Sequence, residues 1–209
     1  MRSHEVRVGP QRLPGSLDVP LQPRALILFA HGSGSSRHSP RNRQVAQVLH
    51  GCDLATLRFD LLTEDEADAR SNVFDIPLLA GRLLQALEWQ RGQPSLSALP
   101  CGLFGASTGA AAALAAAAEE ATAVYAVVSR GGRPDLAGAA LARVVAPTLL
   151  VVGGNDPEVL RLNRAALSDL RCECELAVVP GATHLFEEPG TLEAAARLAA
   201  DWFMAHLPV

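Results

Sequence analysis

One serine stands with glycine two places before and two after it, in Gly105-Ala106-Ser107-Thr108-Gly109. An apolar run, Leu103 to Ala106, leads into it, and a near-pure alanine run, Ala110 to Ala118, follows. Strand, G-x-S-x-G, helix is the pattern of a nucleophile elbow, in which a tight turn lifts a hydroxyl above the sheet. Such a turn holds its serine at strained backbone angles, and side chains at 105 and 109 would collide with the neighbouring strand and helix. The helix behind Ser107 would aim its first unpaired N–H groups at a developing oxyanion. The motif is short, and a glycine-rich turn with an incidental serine would read the same.

A hydroxyl is a poor nucleophile until an imidazole takes its proton and a carboxylate fixes that imidazole's tautomer. On an alternating strand–helix chain these partners follow in the order serine, acid, histidine. The run PTLLVVG leads to Gly154-Asn155-Asp156-Pro157, and ELAVVPG leads to Ala182-Thr183-His184. Ser107, Asp156 and His184 are therefore the candidate catalytic residues, each just past a predicted strand. Asp156 before Pro157 could equally be a helix cap, and His184 could be an exposed loop residue. Downstream of Ser107 the remaining histidine, His206, falls in the predicted closing helix.

The loop after Arg24–Ala30 reads His31-Gly32-Ser33-Gly34-Ser35-Ser36. Its glycines let the backbone approach a reacting carbonyl. The Ser33 N–H is expected as one oxyanion donor and the Thr108 N–H as the other, with Gly34 the second choice for the first. His31 reads as a structural histidine tying loops together. A phosphate-loop reading of HGSGSS lacks its signatures: there is no G-K-[ST], and the third glycine of G-x-G-x-x-G would fall on Arg37.

Elements able to position these groups follow from the apolar pattern. Glu5–Val8 and Ser16–Val19 predict an opening hairpin around Pro14-Gly15. Buried strands are predicted at 24–30, 55–59, 99–105, 124–129, 147–153 and 175–179. Helices are predicted at 41–50, 76–90, 108–121, 136–143 (capped by Asp135), 158–170 and 191–206. Leu61–Asn72, with its Glu64, Asp65, Glu66 and Asp68, predicts a surface loop or short helix. Strand and helix alternate from residue 24 onward, which gives an α/β class: a mostly parallel, doubly wound sheet with helices on both faces. Reactive groups on such sheets sit at the C-terminal strand ends. The short path from Ser129 to Pro147 leaves no room for a large cap, so small or slender acyl groups suit the site.

The 209 residues predict a single domain, 1–209, with 49% hydrophobic and 19% charged residues. A net charge of −4 argues against a nucleic-acid surface. No signal-like N-terminus and no run of about 18 apolar residues predicts a membrane segment, so a cytosolic location and no membrane partner are expected. Cys52, Cys101, Cys172 and Cys174 fit neither a disulfide framework nor a zinc site and read as structural thiols. No metal or cofactor is expected.

Arg37, Arg130 and Arg133 flank two loops at the same predicted sheet edge, with Gly32 and Gly34 beside them. The arginines could bind a carboxylate or phosphate on a substrate. Alternatively they pair with the Glu64–Asp68 cluster or with Glu187 and Glu188.

The segments FAHGSGSSRHSPRNR, FDLLT, FDIPLLAGRL, GLFGASTGAAAAL, VVSRGGRPDLA, APTLLVVGGND and VPGATHLFEEPGTLE span nearly the whole chain from residue 29. They resemble α/β-hydrolases of the dienelactone-hydrolase-like group, and in particular the small hydrolase domains also found fused to phosphoribosyltransferase domains. That resemblance implies a Ser-His-Asp esterase acting on a small-molecule ester without a cofactor. Dienelactone hydrolases proper carry cysteine as nucleophile, whereas position 107 is serine. A lactonase, a thioesterase, or a non-catalytic module keeping the fold as a partner for another domain are the alternatives.

Overall fold

The computed structural model describes residues 1–119 and 123–208. Eight strands form one sheet: β1 (Arg2–Val8), β2 (Leu13–Val19), β3 (Ala25–Ala30), β4 (Leu54–Phe59), β5 (Cys101–Ala106), β6 (Val124–Arg130), β7 (Thr148–Gly153) and β8 (Cys174–Val179). Their spatial order is β1-β2-β4-β3-β5-β6-β7-β8. The hairpin β1–β2 and the β2–β4 pairing are antiparallel, and every pairing from β4 to β8 is parallel. The reversal between β3, β4 and β5 is the topological switch point, where open α/β sheets carry their sites.

The described residues form six α-helices, α1 (Pro40–His50), α2 (Glu64–Asp68), α3 (Ile76–Arg91), α4 (Thr108–Glu119), α5 (Pro157–Asp169) and α6 (Thr191–Ala205), of which all but the short, exposed α2 pack on the sheet. Helices α1 and α6 pack on one face around Phe29, Phe104 and Phe203. Helices α3 and α4 pack on the other, around Leu28, Leu57, Leu103 and Leu83. Every residue of β3, β4, β5 and β7 is buried, as continuous apolar runs require when helices cover both faces. The alanines of α4 serve closeness, since this helix wedges directly behind the elbow and is buried from Thr108 to Leu114.

Several boundaries differ from expectation for local reasons. Pro14-Gly15 lies inside β2, and the hairpin turns at Gly9–Arg12 instead, closed by Arg12 N–H to the Gly9 carbonyl at 3.0 Å. The Pro14 carbonyl accepts from Asp60 N–H, tying the hairpin to the end of β4. Strand β8 is a half-exposed edge, with Val178 42% exposed, because only β7 pairs with it. The helix expected at 136–143 is a 3₁₀ segment, Pro134–Arg143, broken at Gly138 by its positive φ of 52°. Asp135 does not cap it; its carboxylate takes the Arg133 fork. The predicted end of α4, at Ala121, falls outside the described residues. The acidic stretch forms α2, closed by a reciprocal capping box of Thr63 and Glu66.

Among the described residues no element other than that 3₁₀ segment lies between β6 and β7, so no large cap covers the C-terminal edge there. Among the described residues no helix is long and apolar enough to cross a membrane.

Candidate active site

The elbow is strained in the way its glycines imply. Ser107 has φ of 51°, a left-handed conformation costing roughly 1–3 kcal/mol for a non-glycine residue. A Cβ at Gly105 would lie 2.4 Å from Ala110 Cα, and one at Gly109 would lie 2.2 Å from the Ala30 carbonyl oxygen. Neither position tolerates a side chain, because α4 and β3 approach the turn at backbone distance. Three backbone bonds hold the strain. Ser107 N–H donates to the Arg130 carbonyl at 3.3 Å, and the Ser107 carbonyl accepts from Ala110 and Arg133 N–H at 3.1 Å each.

Asp156 follows β7 and does both of its candidate jobs at once. One carboxylate oxygen caps α5 by accepting from Val159 N–H at 3.3 Å. The other accepts from His184 Nδ1 at 2.7 Å. Helix cap and imidazole partner were never alternatives, since a carboxylate has two oxygens and the cap orients the second. With Nδ1 bonded to Asp156, the Nε2 of His184 is the ring nitrogen left for another partner, and Ser107 and His184 line the same cleft of about 220 Å³.

The loops carrying Asp156 and His184 are stitched together. Asn155 N–H donates to the Ala182 carbonyl at 2.9 Å, and its side-chain amide donates to Gly181 at 3.1 Å. Glu188 accepts from both the N–H and the hydroxyl of Thr183, beside His184, and these bonds hold its carboxyl below the usual range. No motif marked Glu188; only its spacing of five from Thr183 relates the two.

The loop expected to supply an oxyanion donor lies over the elbow, with Gly32 and Ser33 in the Ser107 cleft. Helix α4 begins at Thr108, so that N–H belongs to its unpaired first turn. The Ser33 N–H donates to Thr108 Oγ1 at 2.9 Å. The two expected donors thus touch through the Thr108 side chain, and an oxyanion reaching Ser33 must share or displace that hydroxyl. Gly34 sits further out, at a left-handed turn, facing a second cleft. His31 is half-buried, its Nδ1 against the Gly32 carbonyl at 3.0 Å and its Nε2 accepting from Leu61 N–H at 3.2 Å. Burial pushes its pKa below the usual imidazole value, so the ring is a neutral tie between the β3 and β4 loops.

The second cleft, of about 590 Å³, lies on the other side of the same loop and shares Gly32, Ser33 and Ser35 with the first. Leu13, Leu62, Val73 and Leu79 supply its apolar walls, and Arg7, Arg12, Glu64 and Asp65 also line it.

The three arginines separate completely. Arg37 pairs with Asp60 at 3.1 Å and with Glu5 at 3.2 Å. Arg133 makes a two-pronged pair with Asp135 at 2.9 and 2.8 Å. Neither meets its expected acid: Glu66 is taken by Arg82, and Glu187 by Arg41 at 3.5 Å. Arg130 has no carboxylate partner among the described residues. Its guanidinium is buried beside Ser107 and His184, with Nε and Nη1 unbonded and Nη2 at a long 3.4 Å from Asn42 Oδ1. The Phe186 ring lies 5.7 Å away. Burial, with Arg41 nearby, depresses its pKa to about 10. Desolvating an unpaired cation costs several kcal/mol, and an aromatic face returns only about 1–2.

Cys52, Cys101, Cys172 and Cys174 are free thiols, none of them in the site, and burial raises the Cys101 pKa. Among the described residues no cluster of three His, Cys, Asp or Glu is placed to hold a metal ion.

Comparison with known proteins gives the family. The family model described as "Alpha/beta hydrolase domain" matches residues 23–201. A Mycobacterium tuberculosis (strain H37Rv) protein, provisionally named phosphoribosyl transferase Rv0571c, is 61% identical over 99% of this chain. The chain spans 47% of that relative's length, which fits a hydrolase domain joined to a further unit there. The crystal structure of dienelactone hydrolase from Anabaena variabilis is 53% identical, covers 99% of this chain and 98% of its own, and superposes with a TM-score of 0.94. Est1E from Butyrivibrio proteoclasticus shares the fold at 16% identity, with a TM-score of 0.81 and 99% of both chains covered. The family model covers most of the chain and the fold superposes over nearly the whole of the dienelactone hydrolase, so the chain belongs to the α/β-hydrolase family, in its dienelactone-hydrolase-like group.

Proposed function

We propose that this hydrolase cleaves carboxylic esters of small acyl groups through an acyl-enzyme on Ser107. His184 Nε2 takes the hydroxyl proton as Ser107 Oγ attacks the ester carbonyl carbon, and Asp156 stabilises the resulting imidazolium. The carbonyl oxygen, now an anion, accepts from Thr108 N–H and, on sharing or displacing the Thr108 hydroxyl, from Ser33 N–H. Collapse breaks the C–O bond to the alcohol, which leaves with the proton from His184. Water, deprotonated by His184, then attacks the acyl carbon, and Ser107 departs with that proton, freeing the carboxylic acid. All proton transfers use groups of the chain, so the route calls for no metal or cofactor.

The observation that carries this reading is the 2.7 Å bond from His184 Nδ1 to Asp156, made in the loop that lines the Ser107 cleft. A partner-binding module would have no use for a capped carboxylate that also sets an imidazole tautomer. The cleft of about 220 Å³ suits a short acyl group, and the larger cleft beyond Ser33 suits the alcohol. The 53% identity to a dienelactone hydrolase supports a second reading with the same chemistry, a lactone opened at Ser107. In the test, Ser107→Ala and wild type are compared on 4-nitrophenyl acetate and a butyrolactone. Loss of roughly 10⁶-fold in kcat with a native circular dichroism spectrum is the expected result. Near-normal turnover by the variant would overturn the proposal.

A further inference from the structure

A buried amide links helix α5 to the turn that holds Ser107. Asn163 lies on α5, two turns past the Asp156 cap, and is fully buried. Its Nδ2 donates to the Val159 carbonyl at 2.8 Å and to the Gly132 carbonyl at 2.9 Å. Its Oδ1 is buried and has no partner among the described residues. Val159 and Ala166, the other buried residues of α5, are apolar, so the pattern of that face calls for an apolar side chain at 163. An amide there is a weak helix former and leaves an acceptor desolvated, and both features weigh against it on packing grounds. What the position gains is the two bonds that its Nδ2 donates.

Both bonds end on groups that hold the site residues. Val159 is the residue whose N–H donates to the Asp156 carboxylate, at 3.3 Å. Gly132 is the middle of the turn Gly131–Arg133. Gly131 N–H donates to the Val151 carbonyl at 2.7 Å, and Arg133 N–H to the Ser107 carbonyl at 3.1 Å. The turn is tightly enclosed: a Cβ on Gly132 would lie 2.0 Å from Ser129 Oγ and 2.6 Å from Ala110 Cβ, and one on Gly131 would lie 3.2 Å from the His184 carbonyl oxygen. We propose that Asn163 is a positioning residue for ester cleavage. It pins the Gly132 peptide, and through Arg133 it fixes the strained Ser107 relative to the Asp156–His184 pair. This rests on the ester-hydrolase reading above and adds a residue to it. The Arg133 bond is one of the three that hold Ser107 in its left-handed conformation. Without the amide the Gly132 carbonyl loses this donor, its peptide can rotate, and the Arg133 N–H turns with it.

The test compares Asn163→Leu and Asn163→Asp with wild type on 4-nitrophenyl acetate, well below each protein's Tm. Leucine lacks the donors, and an ionised aspartate keeps the amide's shape but only accepts. Rates are divided by the number of sites titrated to completion with a fluorophosphonate, so unfolded protein does not count. Both variants should lose about 10–100-fold in kcat per titrated site, the scale for a displaced reacting group, with KM changed by less than about threefold. Ala166→Gly, one turn further along the same buried face, is the control. It should lower the Tm by a few degrees and leave kcat per site alone. A lowered Tm with kcat per site intact in Asn163→Leu, or a change confined to KM, would make Asn163 a packing residue and overturn the proposal. Should Asn163→Leu fail to fold, Asn163→Ser takes its place, since a hydroxyl at 163 bonds back to the Val159 carbonyl of its own helix.

A second readout needs no turnover. The Arg133 amide proton, held on the Ser107 carbonyl, should exchange with solvent about tenfold faster in Asn163→Leu, the scale for one lost hydrogen bond, while the amides of β5 keep their rates. Unchanged exchange at Arg133 overturns the proposal, even where kcat falls. Faster exchange at Arg133 in the variant, when wild type neither cleaves esters nor takes the fluorophosphonate, would keep the tie from α5 to the turn and remove the hydrolase reading instead.

Discussion

The two clefts that meet at the loop His31–Ser36 are built in different ways. The smaller is walled by strand ends and first helical turns: Ser107 at its elbow, Arg130 ending β6, His184 after β8, and Ser39 to Asn42 opening α1. The larger is walled by parts distant in sequence, namely the hairpin turn, the β4 loop, α2 and the 3₁₀ turn at Asn72–Phe74. One wall is set by backbone geometry common to open parallel sheets, the other by side chains that happen to face each other. Changes in the first should therefore alter the rate for every ester, and changes in the second should alter only the choice among esters.

The largest effect after loss of the nucleophile is expected at Asp156. Asp156→Asn keeps an oxygen for the Val159 cap but can favour the wrong tautomer of His184. A fall of about 10⁴-fold in kcat is expected for short-chain and long-chain esters alike. A silent Asp156→Asn would move the acid elsewhere. On the larger cleft, Val73→Trp should act on selectivity alone. Wild-type kcat/KM for acetate esters should rise by up to about fourfold per methylene of a lengthening alcohol chain, the yield of burying each group. Val73→Trp should flatten that series and leave ethyl acetate unchanged. An equal loss for ethyl acetate would show that the clefts are not separable.

The smallest effect concerns the tie between the clefts. His31 is held neutral by burial, opposed by the Gly32 hydrogen bond and by Asp60. Its folded pKa lies below the 6.5 of the free ring, so protonation favours the unfolded chain. The stability that neutral His31 contributes is complete above about pH 6.5 and is lost as pH falls from there toward the folded value. His31→Gln should therefore be less stable than wild type near pH 7.5 and lose less Tm on acidification to about pH 5. A steeper acid loss in the variant would contradict a neutral His31.

What the sequence disclosed follows the same division. The placement of Ser107, Asp156 and His184 around one cleft was legible because a strained elbow demands glycine at 105 and 109, and because each residue follows an apolar run closely. The sheet was legible from those runs, save for the edge position of β8, which depends on pairing order and not on composition. The fate of the arginines was not legible. Arg130 and Arg133 are three residues apart on one turn, yet Arg133 meets Asp135 and Arg130 meets no acid among the described residues. Only the packing of Phe186 and α1 against the end of β6 distinguishes them. The hairpin turn was misplaced because Pro14-Gly15 has the composition of a turn, while β4 holds those residues in a strand.

The central claim, that His184 activates Ser107 for acyl transfer, is tested most directly by a fluorophosphonate probe followed by fragmentation mass spectrometry. The account predicts a single adduct on Ser107, absent from Ser107→Ala, absent after denaturation, and formed far more slowly by His184→Ala. An adduct on another side chain, or labelling of Ser107 that is indifferent to His184→Ala, would contradict it.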